Sequence, residues 1–190
     1  TGGGGGAGGG YVGADENCNG MVDEAPTTCD GNLAGNDVQA LSAAQALDLC
    51  PQAGQGQGWG VVTANYVRAN GAALANPGLS VALVSQFGTN AVAQNGGAML
   101  VMSSGNARPA NHPEACGTQT CMHHGAGTPP PMFPQDVPGC LGGTNINDDV
   151  ALELQIKAPS NATGYSFDFA FQSFEYPEWV CTTFNDQFIA

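Results

Sequence analysis

Strict alternation of apolar and polar residues in two segments, 150–158 and 165–174, is the feature that most constrains the fold. Three apolar side chains occupy every second position in each segment. They are Leu152, Leu154 and Ile156 in the first, and Phe167, Phe169 and Phe171 in the second. A period of two places alternate side chains on one face of a strand. Both segments are therefore predicted to be half-buried antiparallel strands.

Three further β-rich segments extend this pattern, with glycine, asparagine and proline clusters between them. They span 59–67, 79–87 and 98–104. One amphipathic stretch, 37–50, predicts a helix that Asn36 or Asp37 caps and that Pro51 ends. Several strands with turn signals and one short N-terminal helix favour a mainly β chain, folded as an antiparallel β-sandwich or in a jelly-roll-like arrangement.

The seven cysteines contain no CxxC zinc or redox pair, so they predict disulfides and an oxidising, extracellular compartment. Three of them lie in 105–148, a segment of little periodicity that we expect to be a long, disulfide-braced surface loop. Because seven is odd, one thiol is free, pairs with another chain, or has lost its partner from a longer precursor. No stretch is long and apolar enough to predict a membrane span.

The charge of the chain excludes two classes of partner. It has 16 acidic and 3 basic residues, for a net charge of -13. Nucleic acids and anionic membranes both need clustered lysine and arginine for binding. Charged residues make up only 10% of the chain, so solvated surfaces must consist mostly of uncharged polar side chains.

The sequence divides into three parts. Residues 1–10 form a glycine-rich linker, typical of a tether to a lipid anchor, a cell wall or an upstream domain, with a processed tail as the alternative. Residues 11–31 form a metal-binding unit, and 32–190 a β-rich domain with 37–50 as its leading helix. The chain ends within an apolar stretch, from which we expect an open edge strand that a longer precursor or another molecule completes.

The metal-binding prediction depends on six residues between Asp15 and Glu24, where oxygen donors recur around a glycine as in the first half of an EF-hand loop. They are Asp15, Asn17, Asn19, Met21, Asp23 and Glu24, with Met21 contributing its carbonyl oxygen. Gly20 allows the sharp turn, and hard oxygen donors select Ca²⁺ over zinc or copper. The alternative is an acidic turn that Cys18 braces.

Two resemblances accompany these patterns. Segment 15–24, DENCNGMVDE, resembles a short metal-binding motif of secreted myxobacterial and related delta-proteobacterial proteins, and of copper-repressible surface proteins of methanotrophs. Residues 85–190 resemble the choice-of-anchor L domain of bacterial surface proteins. The matching stretches are 100–107, 147–154, 167–171, 174–180 and 184–188. Where that family has SEEYPE, this chain has Phe174 in place of one acidic residue. The resemblance implies a β-rich extracellular or cell-surface protein that continues beyond Ala190.

Two other groups of residues are candidate metal sites. His112, His123 and His124 suit copper, zinc or haem; the alternative is a Cys116–Cys121 disulfide with solvated histidines. The second group is Glu175, Glu178, Asn185 and Asp186, with Asp148 and Asp149 at the start of an earlier strand. It suits a second Ca²⁺, or else Glu175 and Asp186 hydrogen-bond to turn backbones and hold the fold.

No catalytic motif is present, since Ser103-Ser104-Gly105 is not a nucleophile elbow. We therefore expect a non-enzymatic extracellular structural or adhesive protein, a filament subunit that self-associates by strand addition and is stabilised by Ca²⁺ and disulfides. The alternative is a monomeric, surface-tethered module that binds a glycan or a metal through 105–148. A third interpretation, a hydrolase, would use Glu175 and Glu178.

Overall fold

The computed structural model of the chain describes residues 28–54, 58–94, 96–117, 121–140, 142–184 and 186–190. The glycine-rich linker and the predicted Ca²⁺ motif lie outside these ranges. No helix within them combines the length and the apolar character needed to cross a membrane.

The described residues contain one helix and eight strands. The helix is α1 (Ala40–Gln45), and the strands are β1 (Gly60–Val67), β2 (Val81–Val84), β3 (Gln86–Phe87), β4 (Ala91–Val92), β5 (Met99–Met102), β6 (Ala126–Gly127), β7 (Ile146–Asn147) and β8 (Ala151–Lys157). The prediction of a mainly β chain with one short helix is confirmed. Strands also form within the predicted segments 59–67, 98–104 and 150–158, whereas 79–87 is divided into a 3-10 turn at Gly78–Ser80, β2 and β3.

The strands associate in antiparallel pairs, and each pair is a separate two-stranded sheet in the part of the chain that the structure describes. The pairs are β1 with β8, β2 with β5, β3 with β4, and β6 with β7. β1 and β8 form the longest pair, from Gly60 opposite Lys157 to Val67 opposite Ala151, with an irregularity between Val61 and Thr63. An isolated two-stranded hairpin is marginal in water, so these pairs depend on packing against one another and against α1.

The core lies where α1 packs against the β1–β8 pair and the β2–β5 pair. Its buried members are Ala43, Ala46, Tyr66, Val81, Leu83 and Ala98. The predicted alternation in β8 holds at Leu152, which lies opposite Tyr66 and packs on this cluster. It weakens towards the end of the strand, where Ile156 is 45% exposed.

The helix is shorter than the predicted 37–50. The Asp37 carboxylate accepts the backbone N–H of Gln39 at 2.8 Å. It therefore stabilises the turn before α1 and does not cap the helix, whose N-cap is Gln39. At the other end Asp48 has φ of 60°, Leu49 N–H bonds to the Ala44 carbonyl and Asp48 N–H bonds to the Gln45 carbonyl. These two bonds form a Schellman motif, which ends a helix before any proline is reached.

The prediction of a strand at 165–174 is wrong for the chain by itself. The segment has no regular secondary structure, and Phe167, Phe169 and Phe171 are each at least half exposed. Two of its alternating side chains still lie close together, since the ring centroids of Phe167 and Phe169 are 6.0 Å apart. A strand needs a hydrogen-bonded neighbour as well as the side-chain pattern, and no described strand pairs with this segment.

Tyr66 provides the first testable prediction. Its side chain is 6% exposed, and its hydroxyl has no hydrogen-bond partner among the described residues. Because a buried unsatisfied hydroxyl is unfavourable, Tyr66→Phe is expected to raise the free energy of unfolding by about 1 kcal/mol at pH 7. A variant less stable than the wild type in urea at this pH would contradict the prediction.

The same residue predicts a loss of stability at high pH. Burial, and secondarily the nearby Asp37 charge, raise the pKa of Tyr66 from 10.0 to about 12. Below pH 10 both states hold the proton, whereas between pH 10 and 12 only the folded state does, so stability falls as pH rises. Urea unfolding at pH 7 and 12 should show the wild type losing about 2–3 kcal/mol more than Tyr66→Phe.

Candidate functional site

Asp148 organises the loop that follows the Cys116–Cys121 disulfide. One oxygen of its buried carboxylate accepts three consecutive backbone N–H groups, from His123 at 2.9 Å, His124 at 2.6 Å and Gly125 at 2.7 Å. Its own N–H donates to the Gly125 carbonyl at 2.9 Å. Asp148 has φ of 53°, a left-handed conformation that aspartate tolerates better than most residues. The carboxylate thus satisfies three N–H groups that lie just before β6, outside the β6–β7 ladder.

Arg68 holds the same loop by its carbonyl groups. Its guanidinium donates to His124 O at 2.9 Å, Gly125 O at 3.3 Å and Ala126 O at 3.0 Å. It also forms an ion pair of 2.7 Å with Asp149, which accepts the N–H of Ala69 at 2.6 Å. Side chains from the adjacent ends of β1 and β8 therefore bind both the N–H groups and the carbonyl groups of this loop.

The three histidines do not converge on a metal site. His124 Nε2 donates to the Pro77 carbonyl at 3.2 Å, and His123 Nε2 hydrogen-bonds to Asn106. His112 Nδ1 accepts the N–H of Glu114 at 3.1 Å. Across the described ranges, no group of three or more histidine, cysteine, aspartate or glutamate side chains is placed to hold a metal ion. These rings bind protein atoms, and the braced loop contains the predicted Cys116–Cys121 disulfide.

The second group of oxygen donors is divided in the structure. Asp148 and Asp149 are engaged by backbone N–H groups and by Arg68, as described above. Glu175 and Asp186 line a cleft that Glu178 does not line. Asn185 lies outside the described residues. So do the six residues of the predicted Ca²⁺ motif, Asp15, Asn17, Asn19, Met21, Asp23 and Glu24.

Residues just after the predicted Ca²⁺ motif are attached firmly to the β-rich domain. Cys29 forms a disulfide with Cys50, beyond the end of α1. Asp30, only 2% exposed, accepts the N–H groups of Gly97 at 2.7 Å and Ala98 at 2.8 Å. Gly96 has φ of 64°, and a Cβ there would overlap the Asp30 carboxylate. The end of the predicted unit 11–31 is therefore joined to the turn that precedes β5.

The C-terminal segment, residues 158–190, is the most exposed part of the described chain. It contributes no strand, and most of its large apolar side chains are exposed. We call it the aromatic arm. Within it, Phe169 stacks on Phe188 with ring centroids 4.6 Å apart, and Phe167 lies edge-on to Phe188 at 6.3 Å. This contact gathers the aromatic rings into a surface cluster while leaving them open to solvent.

The aromatic arm is held by the loop that contains Cys140. Cys140 forms a disulfide with Cys181. Gln135 and Gln187 exchange two hydrogen bonds, Gln135 N to Gln187 Oε1 at 3.1 Å and Gln187 Nε2 to Gln135 O at 2.9 Å. One disulfide and two hydrogen bonds therefore attach the aromatic arm to this loop.

Sequence reasoning missed the role of Arg68. A lone arginine at the end of a strand gives no local signal, because its partners lie more than fifty residues away in sequence. The scarcity of basic residues was the available clue, since both arginines of the chain contact carboxylates and backbone carbonyls.

Three disulfides join all six described cysteines and are compatible with an extracellular protein. No family model matches this chain, and neither does any curated protein or any solved structure.

Proposed function

We propose that this chain is an extracellular structural or adhesive protein whose copies associate by strand addition to form a filament. The observation that carries the proposal is the segment 165–171. Three phenylalanines recur there with the period of a strand, yet the backbone has no strand partner and the rings are exposed. Exposed aromatic patches of this kind mark interaction surfaces.

The incomplete sheets provide the complementary half of the argument. Each described sheet has two strands, so each strand has one edge without a partner strand. Residues 51–53 and 72–74 already bond to that edge of β1, which leaves the edges of the other strands as the better acceptors. Such edges pair readily with another chain unless they are covered. A donated segment from a second copy would enlarge a sheet. We propose that assembly in this way produces the antiparallel sandwich that the sequence predicts.

The charge of the chain explains why association would need a cation. A net charge of -13 opposes contact between copies. Binding of Ca²⁺ at Asp15, Asn17, Asn19, Asp23 and Glu24, together with the Met21 carbonyl, would offset part of this charge. We therefore propose that assembly depends on calcium, in a protein similar to choice-of-anchor L surface proteins and without enzymatic activity.

The decisive test is negative-stain microscopy with sedimentation velocity, at high protein concentration, with Ca²⁺ and then with a chelator. Filaments that disperse on chelation are the expected result. Particles that stay monomeric with Ca²⁺ present would contradict the proposal and favour the tethered binding module.

Two variants separate strand addition from simple aromatic adhesion. Replacing Phe167, Phe169 and Phe171 together with serine removes the rings. Ala170→Pro keeps the rings but removes one backbone donor that a strand ladder needs. Both variants should abolish filaments, whereas the matched control Ala170→Ser should keep them. Filaments that survive Ala170→Pro would show that the Ala170 N–H donates to no neighbouring strand, because only every second N–H of a strand faces a given neighbour.

A further inference from the structure

A cleft of about 210 Å³ lies between the turn 173–186 and the loop that contains Cys140. Three aromatic residues line it, Tyr176, Trp179 and Phe184, together with the carboxylates Glu175 and Asp186. It is distinct from the phenylalanine cluster at 167–171 and is not used in the proposed assembly.

The aromatic wall offers ring faces to a ligand. Trp179 and Phe184 meet edge to face, with centroids 5.0 Å apart and an interplanar angle of 76°. Trp179 is still 37% exposed, and Tyr176 is 79% exposed, so both rings are accessible. The face of an aromatic ring is electron-rich and attracts cations, most strongly for tryptophan.

The charge in the cleft is uncompensated. Partial burial of Glu175, and then the neighbouring Asp186 carboxylate, raise the pKa of Glu175. None of the described lining residues is basic. Two of the three basic residues of the chain are already engaged, Arg68 with Asp149 and Arg108 with Glu114. A ligand with positive charge would therefore bind more favourably here than a neutral or anionic ligand of the same shape.

The turn that carries these groups is braced before any ligand arrives. Trp179 N–H donates to the Glu175 carbonyl at 2.9 Å, and the Thr182 hydroxyl donates to the Trp179 carbonyl at 2.7 Å. The Ser173 hydroxyl donates to Asp186 at 3.3 Å, and the Cys140–Cys181 disulfide closes one wall. Little ordering is left for binding to accomplish, which favours affinity.

We propose that this cleft binds an alkylammonium group, with the carboxylates of Glu175 and Asp186 facing the charge and Trp179 and Tyr176 against its alkyl substituents. A divalent metal fits less well, because Ca²⁺ takes six to eight oxygen ligands and only two carboxylates line the cleft. Aromatic faces beside carboxylates instead suit a large cation of low charge density.

The alkylammonium group has two candidate sources. One is a free organic cation. The other is Lys157 of a second copy, since Lys157 is exposed at the end of β8 and has no ion pair with any described residue. The chemistry of the cleft is the same in both cases, so the test addresses the binding and the source separately.

Binding is tested by titrating the full chain with tetramethylammonium chloride and with n-butylammonium chloride at constant ionic strength. Tert-butanol serves as a neutral probe of similar shape. Saturation-transfer NMR on the probe's methyl protons reports binding in every variant. A change in the chemical shift of the Trp179 indole N–H shows that the probe binds in the cleft. We expect both ammonium probes to bind and to shift this resonance, and the alcohol to do neither. Equal binding of the alcohol, or no shift with any probe, would overturn the proposal.

Variants locate the charge. Glu175→Gln and Asp186→Asn should each lower the affinity for the ammonium probes about 3-fold, and Trp179→Leu about 5-fold. Glu178→Gln is the matched control, because it removes a carboxylate from the same turn that does not line the cleft. An equal loss of affinity in this control would mean that the net charge of the protein, and not the two lining carboxylates, determines the affinity, and it would overturn the assignment.

Lys157→Gln distinguishes the sources. If Lys157 supplies the ammonium group, this variant and Glu175→Gln lower self-association in sedimentation by the same factor, while the free probes still bind Lys157→Gln normally. If the source is a free cation, self-association is unchanged in both variants and probe binding to Lys157→Gln is again normal. Failure of filaments to form in the wild type would not affect the titration, so the two proposals fail separately.

Discussion

Asp148→Ala is expected to lower the free energy of unfolding by about 4 kcal/mol. The substitution leaves three N–H groups, of His123, His124 and Gly125, without their shared acceptor. Hydrogen bonds to a charged acceptor contribute about 1.5–3 kcal/mol each, and three on one oxygen contribute less than their sum. Alanine also pays about 1 kcal/mol for the left-handed conformation at this position.

Two control variants separate these contributions. Asp148→Gly removes the acceptor but accepts a positive φ, so it should lose about 3 kcal/mol. Asp148→Asn keeps an acceptor oxygen and tolerates the backbone conformation, so it should lose about 1–2 kcal/mol. Urea unfolding gives the stabilities, and amide exchange at His123, His124 and Gly125 should accelerate most in the alanine and glycine variants. Wild-type stability in Asp148→Gly would contradict the prediction, because it would show that water can replace the carboxylate as acceptor of the three N–H groups.

The apolar pattern of single segments was enough to predict the two longest strands. The alternation in 150–158 predicted β8, and the β-rich segment 59–67 predicted β1, because pairing of these two strands buries Leu152 and Tyr66 on one side. The same alternation in 165–174 did not produce a strand, since nothing in the sequence of one segment states whether a neighbouring strand is available. Helix length was overestimated because a Schellman turn at Asp48 has no glycine to announce it.

The candidate site was less predictable, because it depends on contacts between distant residues. Asp148 and Asp149 had the composition of a Ca²⁺ site, yet their partners are backbone N–H groups and Arg68. A carboxylate is equally suited to either role, and only the position of 123–126 decides between them. The cleft lined by Glu175, Trp179 and Asp186 was likewise not predicted. Its aromatic residues form one wall only because the turn brings them together, and the sequence gives no sign of that turn.

The use of the two arginines follows from their scarcity. Arg68 reaches three loop carbonyls, and Arg108, 8% exposed, donates to the carbonyls of Val81 and Ala107 at 2.8 and 2.9 Å. Both side chains therefore stabilise irregular backbone in a chain whose sheets are short. Carboxylates outnumber basic side chains 16 to 3, so most carboxylates of the chain have no basic partner.

Removing the Cys29–Cys50 disulfide is expected to cost about 3 kcal/mol. The bridge spans 21 residues and encloses α1, whose six residues are too few to be stable as an isolated helix. The bridge also restrains the neighbouring residue Asp30, whose carboxylate accepts two N–H groups before β5. Loss of the bridge should therefore loosen both the helix and the turn at 96–98.

The test is urea unfolding of the double variant Cys29→Ser/Cys50→Ser, with Cys116→Ser/Cys121→Ser as the matched control. The control bridge spans only 5 residues in a surface loop. Chain entropy alone makes its removal about 1 kcal/mol less costly, and it holds no helix against the core. Amide exchange within α1 should accelerate in the first variant only. Amide exchange within α1 that stays at the wild-type rate in the first variant would mean that the Cys29–Cys50 bridge acts only through the unfolded chain, and that α1 is held in place by its packing on β1.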